Sequence, residues 1–496
     1  MQLKELASQL AVSHILGDGE TVVTGIQTDS RKVRPGDLFL CISGLVTDGH
    51  QYAAKAVQAG AAALVVEHDV DVEVPKLVVK DSRYAMAVIA CHFYGYPSRE
   101  MKMIGVTGTN GKTTSTYLID AILSGQGFRT GLMGTIQMKI GSQVTDMERT
   151  TLEAVDLQRH LRQMADVGTD YCIMEVSSHA LDLGRVKGCR FRTGVFTNLT
   201  QDHLDYHGTM ERYQAAKGLL FSRLGNEFTG RSDERQFALL NADDPASAEY
   251  ATQTAAQVVT YGIDSEADVR AERIEISSKG TRFRCVTFKG TADFQTKLVG
   301  KFNVYNSLAA IAAALLEGIE LDAVKLSLEA VHAVDGRLEV VDAGQPFLVL
   351  VDYAHTPDGL DNALSTVKQF TKGRVLCVFG CGGDRDRTKR PLMGKVTAKY
   401  SDYLYVTSDN PRTEDPGQIL LDIVTGIEQS GMPAERYELI ADRREAIEKA
   451  IARATPDDVV LIAGKGHEAY QEIMGVKHDF DDRQVAKEAI RGRFRD

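Results

Sequence analysis

The chain has 496 residues, of which 43% are hydrophobic and 25% charged, and a formal net charge of −11 at pH 7. These are ordinary globular values for two to four domains, each large enough for its own core. The acidic balance excludes a general nucleic-acid binder, whose footprint is a basic face, but not a protein that holds a phosphorylated small molecule through a few local amides and cations. Seven cysteines, at 41, 91, 172, 189, 285, 377 and 381, form no C-x-x-C pair, and several lie in apolar runs. They read as reduced core residues of a cytosolic protein. The opening residues lack the basic-then-apolar order of a signal peptide, and no apolar run approaches the ~18 residues of a bilayer span, so no membrane insertion is expected.

Residues 1–98 read as a small α/β domain. Asp37 to Ser43 is a buried strand, His50 to Gly60 has helical period and stops at a glycine, and Ala62 to Glu67 is a second strand. Thr28, Ser30 and the Gly44–Thr47 loop are polar groups at strand ends, which taken alone are more often turn chemistry than ligands. Gly95 to Glu100 reads as a linker.

Residues 99–332 read as a second α/β domain with a mostly parallel sheet. Met103 to Val106 is an apolar strand that runs into Thr107-Gly-Thr-Asn-Gly-Lys-Thr-Thr114 and then a helical pattern. Glycines at 108 and 111 let successive N–H groups curl around an anion, and the helix adds its positive end. Lys112 can reach β- and γ-phosphates, and the Thr113 hydroxyl suits Mg²⁺. The strict P-loop pattern wants glycine where Val106 stands, so this is a variant cradle. Tyr171 to Glu175 is an apolar strand ending in a carboxylate, and Gly194 to Asn198 is another, leading to Asp202-His203-Leu-Asp-Tyr-His207. Ligands of open α/β sheets gather at such strand ends, so Thr113 and Glu175 are expected to hold a nucleotide-bound Mg²⁺. His203 and His207 have the spacing of a zinc pair, but no third ligand or metalloprotease pattern accompanies them and zinc is set aside. Gly300 to Asn306 precedes an alanine-rich helix expected over Ser307–Leu316; its asparagines either cap that helix or bond a base.

Residues 333–496 read as a third, Rossmann-like α/β unit with strands Phe347–Asp352, Arg374–Phe379, Tyr403–Thr407 and Val459–Ala463. Each ends in a polar or glycine-rich loop: Asp352 to Pro357, Gly380 to Arg385, Ser408 to Arg412 and Gly464 to Glu468. Four such loops on one edge make a site. Gly380-Cys-Gly-Gly lacks the third glycine of a dinucleotide fingerprint, so a nicotinamide reading is rejected.

Taken together, Gly108-Thr-Asn-Gly-Lys-Thr113, Met174-Glu-Val-Ser-Ser-His179, Thr197-Asn-Leu-Thr-Gln-Asp-His-Leu-Asp205 and Asp409-Asn-Pro-Arg412 resemble the Mur ligases. Within that family the likeness is to the type that adds meso-diaminopimelate to a UDP-N-acetylmuramoyl dipeptide, and it covers nearly the whole chain. It implies a UDP-binding domain, a central ATPase and a mobile C-terminal domain that brings the amino acid. It further implies a monomeric bacterial cytoplasmic enzyme of cell-wall synthesis using ATP and Mg²⁺. By match to the family, residues 108–114 bind ATP, with Lys112 on the β- and γ-phosphates. Thr113, Glu175, His203 and a carbamylated Lys217 serve Mg²⁺. Asn306, Arg337 and Asp352 meet adenine, phosphate and ribose. Thr28, Ser30, Leu45, Val46, Thr47, Arg149, Thr150, Thr151, Ser177 and Arg185 fall at contacts to the UDP-sugar peptide. Arg149 and Leu152 stand where the family often has Asn and Pro, and Leu183 where some members have Gln.

The implied chemistry is phosphorylation of the D-glutamyl side-chain carboxylate, then attack by the amine on the acyl phosphate, with Lys112, Lys217 and Arg337 as the catalytic set. Arg412 and, by family match, Arg385 suit the distal carboxylate that separates diaminopimelate from lysine. Glu468 suits its distal ammonium, with Asp409, Asn410, Pro411 and Gly464 completing the pocket. Alternatives are a lysine-adding or folylpolyglutamate-type ligase, or an ATP-driven switch that makes no amide.

Overall fold

The computed structural model describes residues 1–44, 47–147, 149–227, 230, 231, 234–277 and 279–494. The chain folds as two compact units. One comprises Met1–Thr107, Gly127–Gly194 and Leu219–Phe237; the other comprises Gly108–Gln126, Val195–Gly218 and Ala238–Asp496.

The first unit begins with strands β1 (Ser13–Leu16), β2 (Gly25–Gln27), β3 (Asp37–Leu40), β4 (Ala63–Val66) and β5 (Lys76–Val79) in the order β1-β5-β4-β3-β2, parallel except for β1. Alternate residues bury opposite faces. Leu38, Leu40, Val65 and Leu77 pack on one side, Phe39, Cys41, Leu64 and Val66 on the other. Such two-sided burial is why these strands read as continuous apolar runs. The segment expected to be one helix from His50 is a 3₁₀ turn, Gly49–Tyr52, followed by the helix Ala53–Gln58.

Further strands of this unit are β6 (Lys102–Thr107), β7 (Thr130–Met133), β8 (Gln137–Ile140), β9 (Gln143–Asp146), β10 (Tyr171–Glu175) and β11 (Phe191–Phe196, whose last two residues belong to the second unit). β6 pairs in parallel with β10, and β10 with β7, while β8 and β9 add an antiparallel hairpin. The strand expected at Gly194–Asn198 therefore starts three residues earlier and leaves Thr197 and Asn198 in the loop.

In the second unit, β12 (Phe237–Asn241, whose first residue belongs to the first unit), β13 (Gln257–Gly262), β14 (Val269–Ser277), β15 (Gly280–Thr287) and β16 (Gly290–Thr296) run in sequence order. β14, β15 and β16 are antiparallel neighbours. These three strands alternate buried and exposed residues at period 2, as an antiparallel sheet with one solvated face does. Beyond them, β17 (Glu339–Val340), β18 (Leu348–Asp352), β19 (Val375–Phe379), β20 (Tyr403–Val406), β21 (Tyr437–Leu439) and β22 (Val459–Ala463) form a six-stranded sheet in the order β17-β18-β22-β19-β20-β21. Only β17 is antiparallel. Leu350, Cys377, Leu404 and Leu461 face one helical layer, and Val351, Val378, Tyr405 and Ile462 the other. This is the doubly wound arrangement that sends polar loops to the carboxyl edge. Among the described residues no helix is long and apolar enough to cross a membrane.

Candidate active site

The phosphate loop lies between β6 and the helix Lys112–Gly125. Gly108 and Gly111 have φ of +148° and +83°, a backbone state that disfavours side chains, and both are crowded. A Cβ on Gly108 would lie 1.8 Å from the Thr197 hydroxyl oxygen, and one on Gly111 would lie 2.4 Å from Asn306 Oδ1. The loop is pinned from outside its own sequence. Thr109 N–H donates to the Asn198 carbonyl at 2.8 Å, and Asn110 N–H to Asn198 Oδ1 at 2.9 Å. The Thr197 hydroxyl donates to the Asn110 carbonyl at 2.6 Å. Lys112 Nζ folds back on the carbonyls of Gly108 and Thr109 at 2.9 and 2.7 Å.

Arg337 reaches this loop across 224 positions of sequence: its Nη2 donates to Thr113 Oγ1 at 3.0 Å. Its guanidinium lies 4.8 Å from the centre of the Tyr353 ring, and its buried Nε has no hydrogen-bond partner among the described residues. A cavity of about 260 Å³ opens beside these groups, lined by Gly111, Asn306, Tyr305, Arg337, Asp352 and Asp358 among others. Asp352 accepts N–H bonds from Leu338 and Ala354 at 2.7 and 2.8 Å, and burial raises its carboxyl. Asn303 and Asn306 are not caps. The helix begins at Lys301, six residues before its expected start, because Gly300 at φ +107° turns the chain into it, and both asparagines are buried in its first turns. Asn306 Nδ2 donates to Asn303 Oδ1 at 3.0 Å.

Lys217 is fully buried, donates to the Gly108 carbonyl at 2.7 Å and lies 4.3 Å from the centre of the Tyr213 ring. Burial, aided by the nearby Lys112 charge, pushes its ammonium well below the usual lysine range. A neutral amine is the form that captures CO₂ as a carbamate, so the site fits the modified lysine. His203 takes a left-handed φ of +54° and sits 3.3 Å from Asp202. Burial alone would raise Asp202, but His203 and Lys389, the latter at 3.6 Å, hold its carboxyl well below the usual range.

In the first unit, Glu175 at the end of β10 accepts from the Thr135 N–H and hydroxyl at 2.7 and 3.1 Å. The Thr151 hydroxyl donates to the Glu175 carbonyl at 2.9 Å and accepts from Ser177 N–H at 3.1 Å. Arg185 donates to the Thr151 carbonyl at 3.1 Å and pairs with Glu153 at 2.7 Å. Thr150 joins the group through Thr135 at 3.1 Å, and Arg149 through Glu153 at 3.3 Å. Six of the expected substrate residues or their metal neighbour thus share one cluster. Among the described residues no hydrogen bond ties Thr28, Ser30 or Thr47 to it; Leu45 and Val46 lie outside the described residues. The Glu175 carboxylate of the first unit and the Thr113 hydroxyl of the second are each oxygen donors of the kind a hard divalent cation takes.

At the carboxyl edge of the second unit's six-stranded sheet the expected loops meet. Asn410 Nδ2 donates to Glu468 Oε2 at 2.8 Å. Arg412, at φ +51°, donates through Nη1 to the Gly383 carbonyl at 2.7 Å and pairs with Glu472 at 3.3 Å. A Cβ on Gly382 would lie 2.9 Å from Arg412 Nη1 and 3.8 Å from Arg385 Cγ, so the two guanidinium-bearing side chains flank one glycine. Gly464, at φ +117°, leaves room for Asp409 Oδ2, which is buried without a hydrogen bond among the described residues.

Lys465, absent from the expected set, is fully buried and bridges Asn410 Oδ1 at 3.1 Å and Glu468 Oε2 at 3.0 Å. One oxygen of Glu468 is therefore taken by its own loop, and among the described residues Oε1 accepts only a 3.5 Å bond from Tyr353. A lysine between two glycines at a strand end was the available signal. Asp202 stood beside a flagged histidine, whereas Lys389 lies in an ordinary basic run and carried no signal.

With this geometry in view, comparison with known proteins places the chain. Residues 106–314 match the family model for the Mur ligase middle domain, 336–466 that for the Mur ligase glutamate ligase domain, and 22–101 that for the Mur ligase family catalytic domain. The chain belongs to the Mur ligase family. It is 51% identical over 494 residues to a UDP-N-acetylmuramoyl-L-alanyl-D-glutamate–2,6-diaminopimelate ligase of Bacillus cereus, covering 100% of this chain and 99% of the relative. It is 52% identical to the ligase of that name from Geobacillus thermodenitrificans, covering 99% and 100%. A solved structure of a ligase of that name superposes with a TM-score of 0.68 at 35% identity, covering 99% of both chains. The MurF ligase of Thermotoga maritima in complex with ADP shares the fold, with a TM-score of 0.64 at 17% identity and coverage of 97% and 98%.

Proposed function

We propose that this chain joins the amino group of meso-diaminopimelate to the D-glutamyl side-chain carboxylate of UDP-N-acetylmuramoyl-L-alanyl-D-glutamate, converting ATP to ADP and phosphate, in bacterial peptidoglycan synthesis. Three domains divide the work: residues 1–98 for the UDP moiety, 99–332 for ATP, and 333–496 for the amino acid. The three separate family matches support that division. The observation that carries the reading is the Arg337–Thr113 contact, which puts a cation from the third segment on the hydroxyl of the phosphate loop.

In this reading the carboxylate oxygen attacks the γ-phosphorus and the bond to ADP breaks. The amine then attacks the carbonyl carbon, loses a proton, and the C–O bond to phosphate breaks. Lys112 and Arg337 offset charge on the transferring phosphoryl group. Asn306 and Asp352 orient the nucleoside, and Thr150, Thr151, Ser177 and Arg185 orient the acceptor. Thr113, Glu175, His203 and carbamylated Lys217 would hold Mg²⁺, which supplies Lewis-acid neutralisation of the phosphates. Arg412 and Arg385 receive the distal carboxylate. The enzyme works as a monomer in the cytoplasm.

Acceptor labelled with ¹⁸O in the D-glutamyl carboxylate tests the acyl phosphate: one label should appear in the released phosphate. Phosphate without label would refute that route. Phosphate release with no dependence on the amino acid would instead favour a nucleotide switch.

A further inference from the structure

A second cavity, of about 330 Å³, lies within the first unit, among the turn Pro97–Arg99, the loop before β11 and the segment that follows Leu219. None of its lining residues has a part in the chemistry above. Its walls are apolar where Leu181, Val186, Phe191 and Leu220 face it, and its rim carries Arg99, Lys187, Arg190 and Arg223. In a chain of net charge −11 such a concentration of cations is unusual. Among the described residues the side chains of Arg99, Lys187 and Arg223 make no ion pair and no hydrogen bond; Arg99 and Lys187 only overlie Tyr96 and Tyr84. Arg190 is held loosely, 3.5 Å from Glu227 and 3.8 Å from Glu234. Among the described residues that line the cavity, Glu227 is the one carboxylate.

The walls are built rather than incidental. Gly188, at φ +80°, lets the loop close on Cys91, whose Sγ would lie 2.4 Å from an added Cβ. Arg190 N–H donates to the Ser98 hydroxyl at 3.2 Å. Gln236 spans the opening, donating to the Phe191 carbonyl at 2.6 Å and accepting from Gly225 N–H at 2.8 Å. Cys189 also lines the cavity, but burial holds its thiol well above the usual range, so it is no nucleophile and the site is one of reversible binding.

We propose that this cavity binds a small anion with an apolar body and a phosphate or sulfonate head, the body against the leucines and the head on the arginine forks. The volume is within the range of small-molecule sites, and guanidinium groups match the geometry of tetrahedral oxyanions.

Anilinonaphthalene sulfonate, which has both parts and fluoresces when its ring system is desolvated, is the probe. The full-length protein is titrated in saturating ADP, Mg²⁺ and UDP-dipeptide, which occupy the active site. The expected result is saturable binding that inorganic phosphate competes away. Arg223→Glu and Arg99→Glu should each weaken it about tenfold or more, with melting temperature and ligase turnover unchanged. Unchanged affinity in both variants, no effect of phosphate, or no binding once the active site is filled would each overturn the proposal.

Discussion

Arg443 and Asp482 form a fully buried, two-pronged ion pair, with Nε and Nη2 each 2.7 Å from a carboxylate oxygen. The same guanidinium donates to the carbonyls of Ser408 at 3.3 Å and Ala463 at 3.0 Å. Those carbonyls immediately precede Asp409-Asn410 and Gly464-Lys465, so one cation fixes the two loops that carry the proposed amino-acid pocket. Asp482→Asn leaves that cation uncompensated in the core. The expected cost is about 3–5 kcal/mol, read as a lowered urea midpoint. Arg443→Lys keeps the charge but cannot reach both carbonyls, and should raise the KM for diaminopimelate while leaving that for ATP unchanged.

Arg412 tests specificity. Arg412→Lys loses the planar fork while keeping the charge. The KM for diaminopimelate should rise by an order of magnitude or more, about 1.4 kcal/mol per tenfold, and that for ATP should stay within about twofold. Steady-state kinetics with each substrate varied in turn decides it; an unchanged KM for diaminopimelate removes Arg412 from the pocket.

Gly111→Ala places a Cβ 2.4 Å from Asn306 Oδ1 at a φ of +83°. Strain of about 1–3 kcal/mol and displacement of Asn306 should weaken nucleotide binding at least tenfold, measurable by calorimetry with ADP.

Lys217 should carry a carbamate. In ¹³CO₂-equilibrated buffer, ¹³C NMR of the protein should show a carbamate resonance that is absent from Lys217→Ala. Because burial depresses this amine, the neutral, carbamylatable form persists to lower pH than for an exposed lysine. A fully active enzyme in rigorously CO₂-free buffer would refute the metal role.

His467 makes stability pH-dependent. Burial, with Arg337, Arg483 and Lys465 nearby, lowers its pKa to about 3 from an ordinary 6.5. The unfolded chain therefore binds more protons, and the stability held above pH 6.5 is lost progressively as pH falls toward 3. Because the ring is only partly buried, the expected loss between pH 7 and 5 is about 1 kcal/mol. His467→Gln should shrink the difference between urea midpoints at those two pH values.

Much of this fold was legible because the C-terminal strands are buried on both faces. Val459–Ala463 and Leu348–Asp352 are continuous apolar runs, and the loops after them carry the polar residues. The phosphate loop was legible through its glycines, whose crowding by Thr197 and Asn306 is a tertiary fact that spacing only hints at. Strand ends were less so: Thr197 and Asn198 look extended in sequence but serve as loop partners of Thr109 and Asn110. Lys217 had no local signature at all, since its meaning comes from burial beside Gly108 and Tyr213. Lys389 was missed for the same reason, because a lysine becomes informative only when its burial is known, whereas Lys465 had its place between two glycines at a strand end as a signal.

The most direct test is an amino-acid panel. The protein, ATP, Mg²⁺ and the UDP-dipeptide are incubated with meso-diaminopimelate, lysine, ornithine or glutamate, and products are read by mass spectrometry. The expected product is the UDP-tripeptide with meso-diaminopimelate, with lysine slower by orders of magnitude. Equal product from lysine, or no amide with any of the four, would contradict the proposed function.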